Sequence, residues 1–182
     1  MCERIASPLD WWRVRRLYAR AFPREERKPF AIIRRMHRRG KSDVWVLRRD
    51  GRFAGFAATI NGDGLILLDY LAVAEAQRGA GVGSAALAAL TAAYPGCGLL
   101  VEIESAFEPG DDQDERLRRR RFYERAGFRS CHTLAEVFGV PMELMGHGCC
   151  VGFDEYRAFY RDHYSPWAAE HIAPLEWPDH AG

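Results

Sequence analysis

Leu71-Ala72-Val73-Ala74-Glu75-Ala76-Gln77-Arg78-Gly79-Ala80-Gly81-Val82-Gly83-Ser84 is the stretch on which the reading of this chain turns. It closes a β-rich run, Leu65 to Val73, and opens an alanine-rich helical run, Ser84 to Ala93, which Pro95-Gly96 ends. A strand that feeds a helix through glycines turns free backbone N–H groups toward one point, an arrangement suited to an anion such as a pyrophosphate. Glycine matters at Gly79, Gly81 and Gly83 because a side chain there obstructs phosphate oxygens or blocks an unusual dihedral. The run lacks the Lys-Ser/Thr ending of a nucleotide P-loop. The strands before it read as antiparallel, which argues against a dinucleotide fold.

Upstream, Ser7-Pro8-Leu9-Asp10 has the order of a helix start: a capping hydroxyl, proline at the first helical position, and an acid at the positive end of the dipole. The spacing of Trp11, Val14, Leu17, Tyr18 and Ala21 predicts one buried stripe on a helix from Pro8 to about Phe22. A second helix, Pro29 to Arg39, places Phe30, Ile33 and Met36 on one face before Gly40. Val44 to Leu47 and Phe53 to Ile60 read as strands joined by the hairpin signal Asp50-Gly51, and Asn61 to Gly64 marks a second turn into the strand from Leu65.

Downstream, Leu99 to Ser105 is a strand, Phe107 to Asp114 an acidic loop, and Glu115 to Ala126 a helix stopped by Gly127. Phe128 to Leu134 and Met142 to Cys149 complete the predicted sheet. Asp154 to His163 reads as a tail helix, and Ser165 to Pro178 shows no clear pattern.

At 182 residues and 48% hydrophobic content the chain suits one domain, residues 1–182, with 150–182 a helical extension. No stretch reaches the ~20 apolar residues of a membrane span, and the N-terminus lacks the pattern of a signal peptide, so a cytoplasmic protein is expected. Cys2, Cys97, Cys131, Cys149 and Cys150 show neither a disulfide framework nor zinc spacing, and the histidines show no ligand spacing, so no metal is expected. Net charge is +1, with many arginines and only two acids between Trp11 and Lys41. No nucleic-acid-binding module accompanies them, and a solvated basic helix surface accounts for the run.

Leu71-Ala72-Val73 followed by Arg78-Gly-Ala-Gly-Val-Gly resembles the R/Q-x-x-G-x-G/A signature of the GNAT superfamily of acyl-CoA N-acyltransferases. Phe122-Tyr123-Glu124-Arg125-Ala126-Gly127-Phe128 resembles that family's second landmark. The resemblance runs from about Asp10 to Cys149. It implies an α/β (α+β) GNAT fold: a mixed central sheet of about six to seven strands, mostly antiparallel, flanked by helices. Arg116 and Arg119 stand where many members carry Asn and Ala, so family contacts from those positions do not transfer.

By this resemblance acetyl-CoA is the co-substrate, its pyrophosphate on Arg78, Gly79, Ala80, Gly81, Val82, Gly83 and Ser84. The backbone of Leu71, Ala72 and Val73 pairs with its pantetheine arm. The implied activity is transfer of an acetyl group to a primary amine, on a small molecule rather than a protein, by direct attack in a ternary complex. Tyr123 matches the family tyrosine that protonates the leaving thiolate. A catalytically silent acyl-CoA-binding sensor is the alternative, and a homodimer is allowed.

For the base, Glu102 and Glu104 lie two apart on one strand face and either line an acceptor cleft or pair with the arginine-rich helix Arg116 to Arg125. Asp69, on the same side of its strand as Leu71 and Val73, is a further candidate. Glu25 and Glu26 follow the first helix, where family members bind acceptors. Together these carboxylates favour a cationic acceptor.

Overall fold

The computed structural model describes residues 1–24, 27–107 and 110–178. It contains an eight-stranded, mostly antiparallel sheet flanked by helices, and the chain forms two compact units. The first comprises Met1–Asn61 and Leu68–Pro95, the second Gly62–Leu67 and the chain from Gly96 onward. Among the described residues no helix is long and apolar enough to cross a membrane.

The first unit holds β1 (Cys2–Arg4), α1 (Pro8–Ala21), α2 (Phe30–Arg38), β2 (Ser42–Arg49), β3 (Arg52–Asn61), most of β4 (Leu65–Val73) and α3 (Val82–Ala93). Ser7 caps α1 as read: its Oγ accepts the Asp10 N–H at 3.0 Å, and Pro8 follows it. Asp10 is buried, and its carboxylate receives the Ser7 hydroxyl at 2.8 Å and Arg48 Nη2 at 2.7 Å. The predicted stripe faces inward, with Val14 and Tyr18 buried among Ile33, Val44, Val46, Phe56, Tyr70 and Ala72. The valine, isoleucine and phenylalanine side chains among them contribute about 1.5–3 kcal/mol each when fully buried. Asp50 (φ 50°) and Gly51 (φ 73°) both take the left-handed conformation that a two-residue hairpin turn requires. Leu47 pairs with Gly55 but Arg48 with Phe53, so Ala54 is the extra residue of a β-bulge.

The second unit holds β5 (Gly98–Glu104), α4 (Gln113–Arg125), β6 (Arg129–Val137), β7 (Val140–His147), α5 (Phe153–Phe159), a π-helical turn (Tyr160–Tyr164), α6 (Pro166–Ala169) and β8 (Ile172–Leu175). Its strands run in the order β5-β7-β6-β8, all antiparallel. β7 is therefore central, with Glu143 opposite both Ile103 of β5 and Leu134 of β6.

The strand count exceeds the expected six to seven because of the terminal strands. β1 has three residues, and β8 has four with Pro174 among them. Neither is long enough to show alternation, and proline is tolerated in β8 because that strand lies at the sheet edge. The tail from 150 onward is accordingly part helix and part strand, with Ile172 paired to Val137.

Candidate functional site

In the first unit the glycine-rich turn adopts the geometry that an anion site needs. Gly79 and Gly81 have φ of 73° and 76°, and a Cβ built on either meets nothing within 4 Å. Gly81 caps α3 without any side-chain hydrogen bond, and the first intrahelical bond runs from the Ala85 N–H to the Gly81 carbonyl at 3.0 Å. The N–H groups of Val82, Gly83 and Ser84 therefore precede the helical ladder and lie at the positive end of the dipole. Arg78 to Gly81 are exposed, and a cavity of about 330 Å³ borders Ala80, Gly81 and Val82, with Arg49 also on its wall.

β4 leads into this turn. Tyr70 and Ala72 point into the core, while Asp69, Leu71 and Val73 are half-buried on the other side, as alternation requires. Gly55 makes the close approach of β3 possible, since a Cβ there would stand 2.3 Å from the Ala72 carbonyl oxygen. Asp69 is held by Lys28, whose Nζ donates to both carboxylate oxygens at 2.6 and 2.7 Å. Lys28 Nζ also lies 5.3 Å from the Tyr70 ring centroid. Glu25 and Glu26 lie outside the described residues.

In the second unit Tyr123 sits near the end of α4, and the local sequence explains how it is fixed there. Gly127 takes φ 87°, the Phe128 N–H returns to the Tyr123 carbonyl at 3.1 Å, and the Gly127 N–H to the Glu124 carbonyl at 3.0 Å. This is a Schellman stop, and the hydrophobic contact that accompanies it is the Tyr123 ring against Phe128, centroids 5.4 Å apart. The Phe-Tyr-x-x-x-Gly-Phe spacing is thus a device that terminates a helix and orients a phenol. Tyr123 is 7% exposed, and its hydroxyl makes no hydrogen bond to another described residue. Burial pushes the phenol up to about 12 against a small opposing pull from Arg119.

Glu104 receives Arg119 Nη1 at 3.1 Å, and Arg116 Nε lies 3.2 Å from its other oxygen. Glu102 receives the hydroxyls of Tyr156 at 2.5 Å and Tyr160 at 2.7 Å. The two glutamates share a strand face yet serve different partners: one meets the arginine-rich helix, the other the tail. With Asp69 on Lys28, each of these three carboxylates has a partner inside the fold. The tail's Tyr156 and Tyr160 were not anticipated from the sequence; their i, i+4 spacing is the one local signal that they share a face.

Residues 40–130 match a family model described as an acetyltransferase (GNAT) domain. No curated protein matches the chain. Among solved structures, the chain is similar to a protein assigned to the GNAT acetyltransferases from Bacteroides thetaiotaomicron, with a TM-score of 0.75 at 21% identity over 93% of this chain and 98% of that one. It is also similar to one assigned to the same family from Desulfovibrio desulfuricans, with a TM-score of 0.64 at 24% identity over 80% and 96%. An aminoglycoside 6'-N-acetyltransferase complexed with coenzyme A gives a TM-score of 0.64 at 15% identity over 80% and 95%. At these identities the structural likeness is one of fold.

Proposed function

We propose, from the premise that the chain belongs to the GNAT acetyltransferase domain family and is an acetyltransferase of that type, that it moves an acetyl group from acetyl-CoA to a primary amine of a small molecule by direct attack in a ternary complex. The observation that carries this reading is the left-handed pair Gly79 and Gly81 leading into an uncapped helix start, with open space where side chains would stand. Acetyl-CoA supplies an activated acyl thioester. The turn from Arg78 to Ser84 would hold its pyrophosphate through backbone donors, and the main chain of Leu71, Ala72 and Val73 would align its pantetheine arm. Tyr123 keeps a proton on its hydroxyl across the physiological range and serves as the general acid for the departing thiolate.

Of the three carboxylates we assign the base role to Asp69, acting through a water, because it stands on the same strand face as Leu71 and Val73. Glu104 and Glu102 receive positioning roles, the first on Arg116 and Arg119, the second on Tyr156 and Tyr160. Asp69→Asn is expected to lower kcat by about 10²-fold near neutral pH, with partial recovery as pH rises and more of the amine is already neutral. Glu104→Gln should change kcat far less. Steady-state rates across pH decide this, and equal losses in both variants with unchanged pH profiles would reverse the assignment.

The reading as a whole is tested by calorimetric titration with coenzyme A and by thiol release from acetyl-CoA against a panel of amines. Gly81→Ala must hold a side chain at φ 76°, which costs about 1–2 kcal/mol, and its Cβ enters the open space before α3. That strain is borne by the fold itself, and the affinity loss comes from the Cβ standing where phosphate oxygens approach: coenzyme A binding should fall about tenfold, a loss of about 1.4 kcal/mol. Folded wild-type protein with no affinity for coenzyme A would remove the reading.

A further inference from the structure

A cavity of about 380 Å³ lies between the end of α1 and the start of α2. Tyr18 and Phe30 give it an aromatic floor, and its described charged side chains are Arg15, Arg24, Arg27 and Lys28, every one a cation. Two of these charges are committed elsewhere. Lys28 faces Asp69. Arg27 donates to the Ala19 carbonyl at 3.2 Å and to the Pro23 carbonyl at 3.3 Å, near the C-terminal end of α1 where the helix dipole favours a cation. Arg15 and Arg24 are exposed and form no ion pair with any described residue.

Two guanidinium groups that pair with no acid among the described residues, at the rim of an aromatic-floored cleft, fit an oxyanion, because the planar fork of arginine matches a carboxylate or a phosphate with paired N–H donors. Lys28 ties this cleft to β4: the residue lines the cavity, and its ammonium grips Asp69, on the strand face that carries Leu71 and Val73. We propose that the amine acceptor also bears an oxyanion, carboxylate or phosphate, seated on Arg15 and Arg24. The proposal rests on the acetyl-transfer reading for the amine, while the anion preference of the cleft is measurable by itself.

The test compares matched ligands by NMR titration with and without saturating coenzyme A: O-phosphoethanolamine against ethanolamine, and alanine against ethylamine. The anionic member of at least one pair should bind about 10-fold tighter or more, as charge-assisted hydrogen bonds would give. The pair that shows the preference identifies phosphate or carboxylate as the group recognised. Acetyl transfer should follow the same preference, read in KM rather than kcat. Arg15→Ala with Arg24→Ala should abolish it and leave coenzyme A affinity unchanged; both sites are exposed, so the variant folds as the wild type does. Equal binding within both pairs, binding of neither anionic probe, or a preference that survives the double substitution would overturn the proposal. So would loss of coenzyme A affinity in that variant, which would give the arginines to the co-substrate, or binding of the anionic amines without transfer. Wild-type protein that does not bind coenzyme A at all would instead remove the transfer reading, and the acceptor with it.

Discussion

Replacing Tyr123 with phenylalanine is expected to lower kcat by about 10²- to 10⁴-fold, the usual contribution of a positioned general acid, and to leave affinity for coenzyme A and stability unchanged. The ring of residue 123 supplies the packing, against Phe122 at 5.1 Å and Phe128 at 5.4 Å between centroids, and phenylalanine keeps both contacts. The Schellman stop that fixes its position is made by main-chain groups and Gly127, so it too survives. Only the hydroxyl is lost, and that hydroxyl makes no hydrogen bond to another described residue. Because burial holds the phenol at about 12, it remains protonated at every pH below that value, and ionisation of Tyr123 contributes no falling limb to the kcat profile below about pH 11. A tyrosine that merely packs would leave kcat where it was. Single-turnover rates and a pH profile of both proteins separate the two.

The second large effect concerns stability. Glu143 is fully buried in the central strand of its unit, and the Arg120 Nε lies 3.2 Å from its carboxylate in an orientation that gives neither carboxylate oxygen a hydrogen bond. Arg120 is otherwise spread over the Phe107 ring, 5.7 Å from its centroid, and over Glu124 at 3.6 Å. Arg120→Ala should cost about 3–5 kcal/mol, because it strands an uncompensated charge in a low dielectric. Total stabilities are about 5–15 kcal/mol, so the loss takes a large share. Replacing both partners together, Arg120→Met with Glu143→Leu, should recover most or all of it, since the desolvation penalty disappears with the charge. Urea unfolding of the three proteins at neutral pH measures this. A single substitution costing no more than the double would show that the pair contributes nothing. The outcome bears on activity as well, because Arg120 lies one turn before Tyr123 and ties that helix to β7.

The features read correctly from sequence are those in which a few neighbouring residues carry their own instructions. Ser7-Pro8 starts a helix because a hydroxyl and a fixed φ act within one turn. Asp50-Gly51 makes a hairpin because both residues tolerate positive φ. Gly79 and Gly81 bend the chain into α3, and Gly127 stops α4, for the same reason. Terminal strands were missed because three or four residues leave no period to detect. β6 was read only to Leu134 because its pairing shifts between Ser130 and Leu134, where His132 takes φ 51°, before the strand resumes to Val137.

The sequence by itself therefore determined the order of elements from α1 to β7, the turn of backbone donors after β4 and the helix stop that orients Tyr123, since each depends on contacts within a few residues. Tertiary structure decided which partner each of these charges takes. Asp69 meets Lys28 across 41 residues, and Glu102 meets Tyr156 across 54. Glu104 meets Arg119 across 15, and Arg15 and Arg24 are left at the rim of a cleft with no partner among the described residues. A carboxylate in a sequence has no address: its free energy is set by whichever donor the folded backbone brings within about 3 Å, and that choice leaves no trace in local spacing.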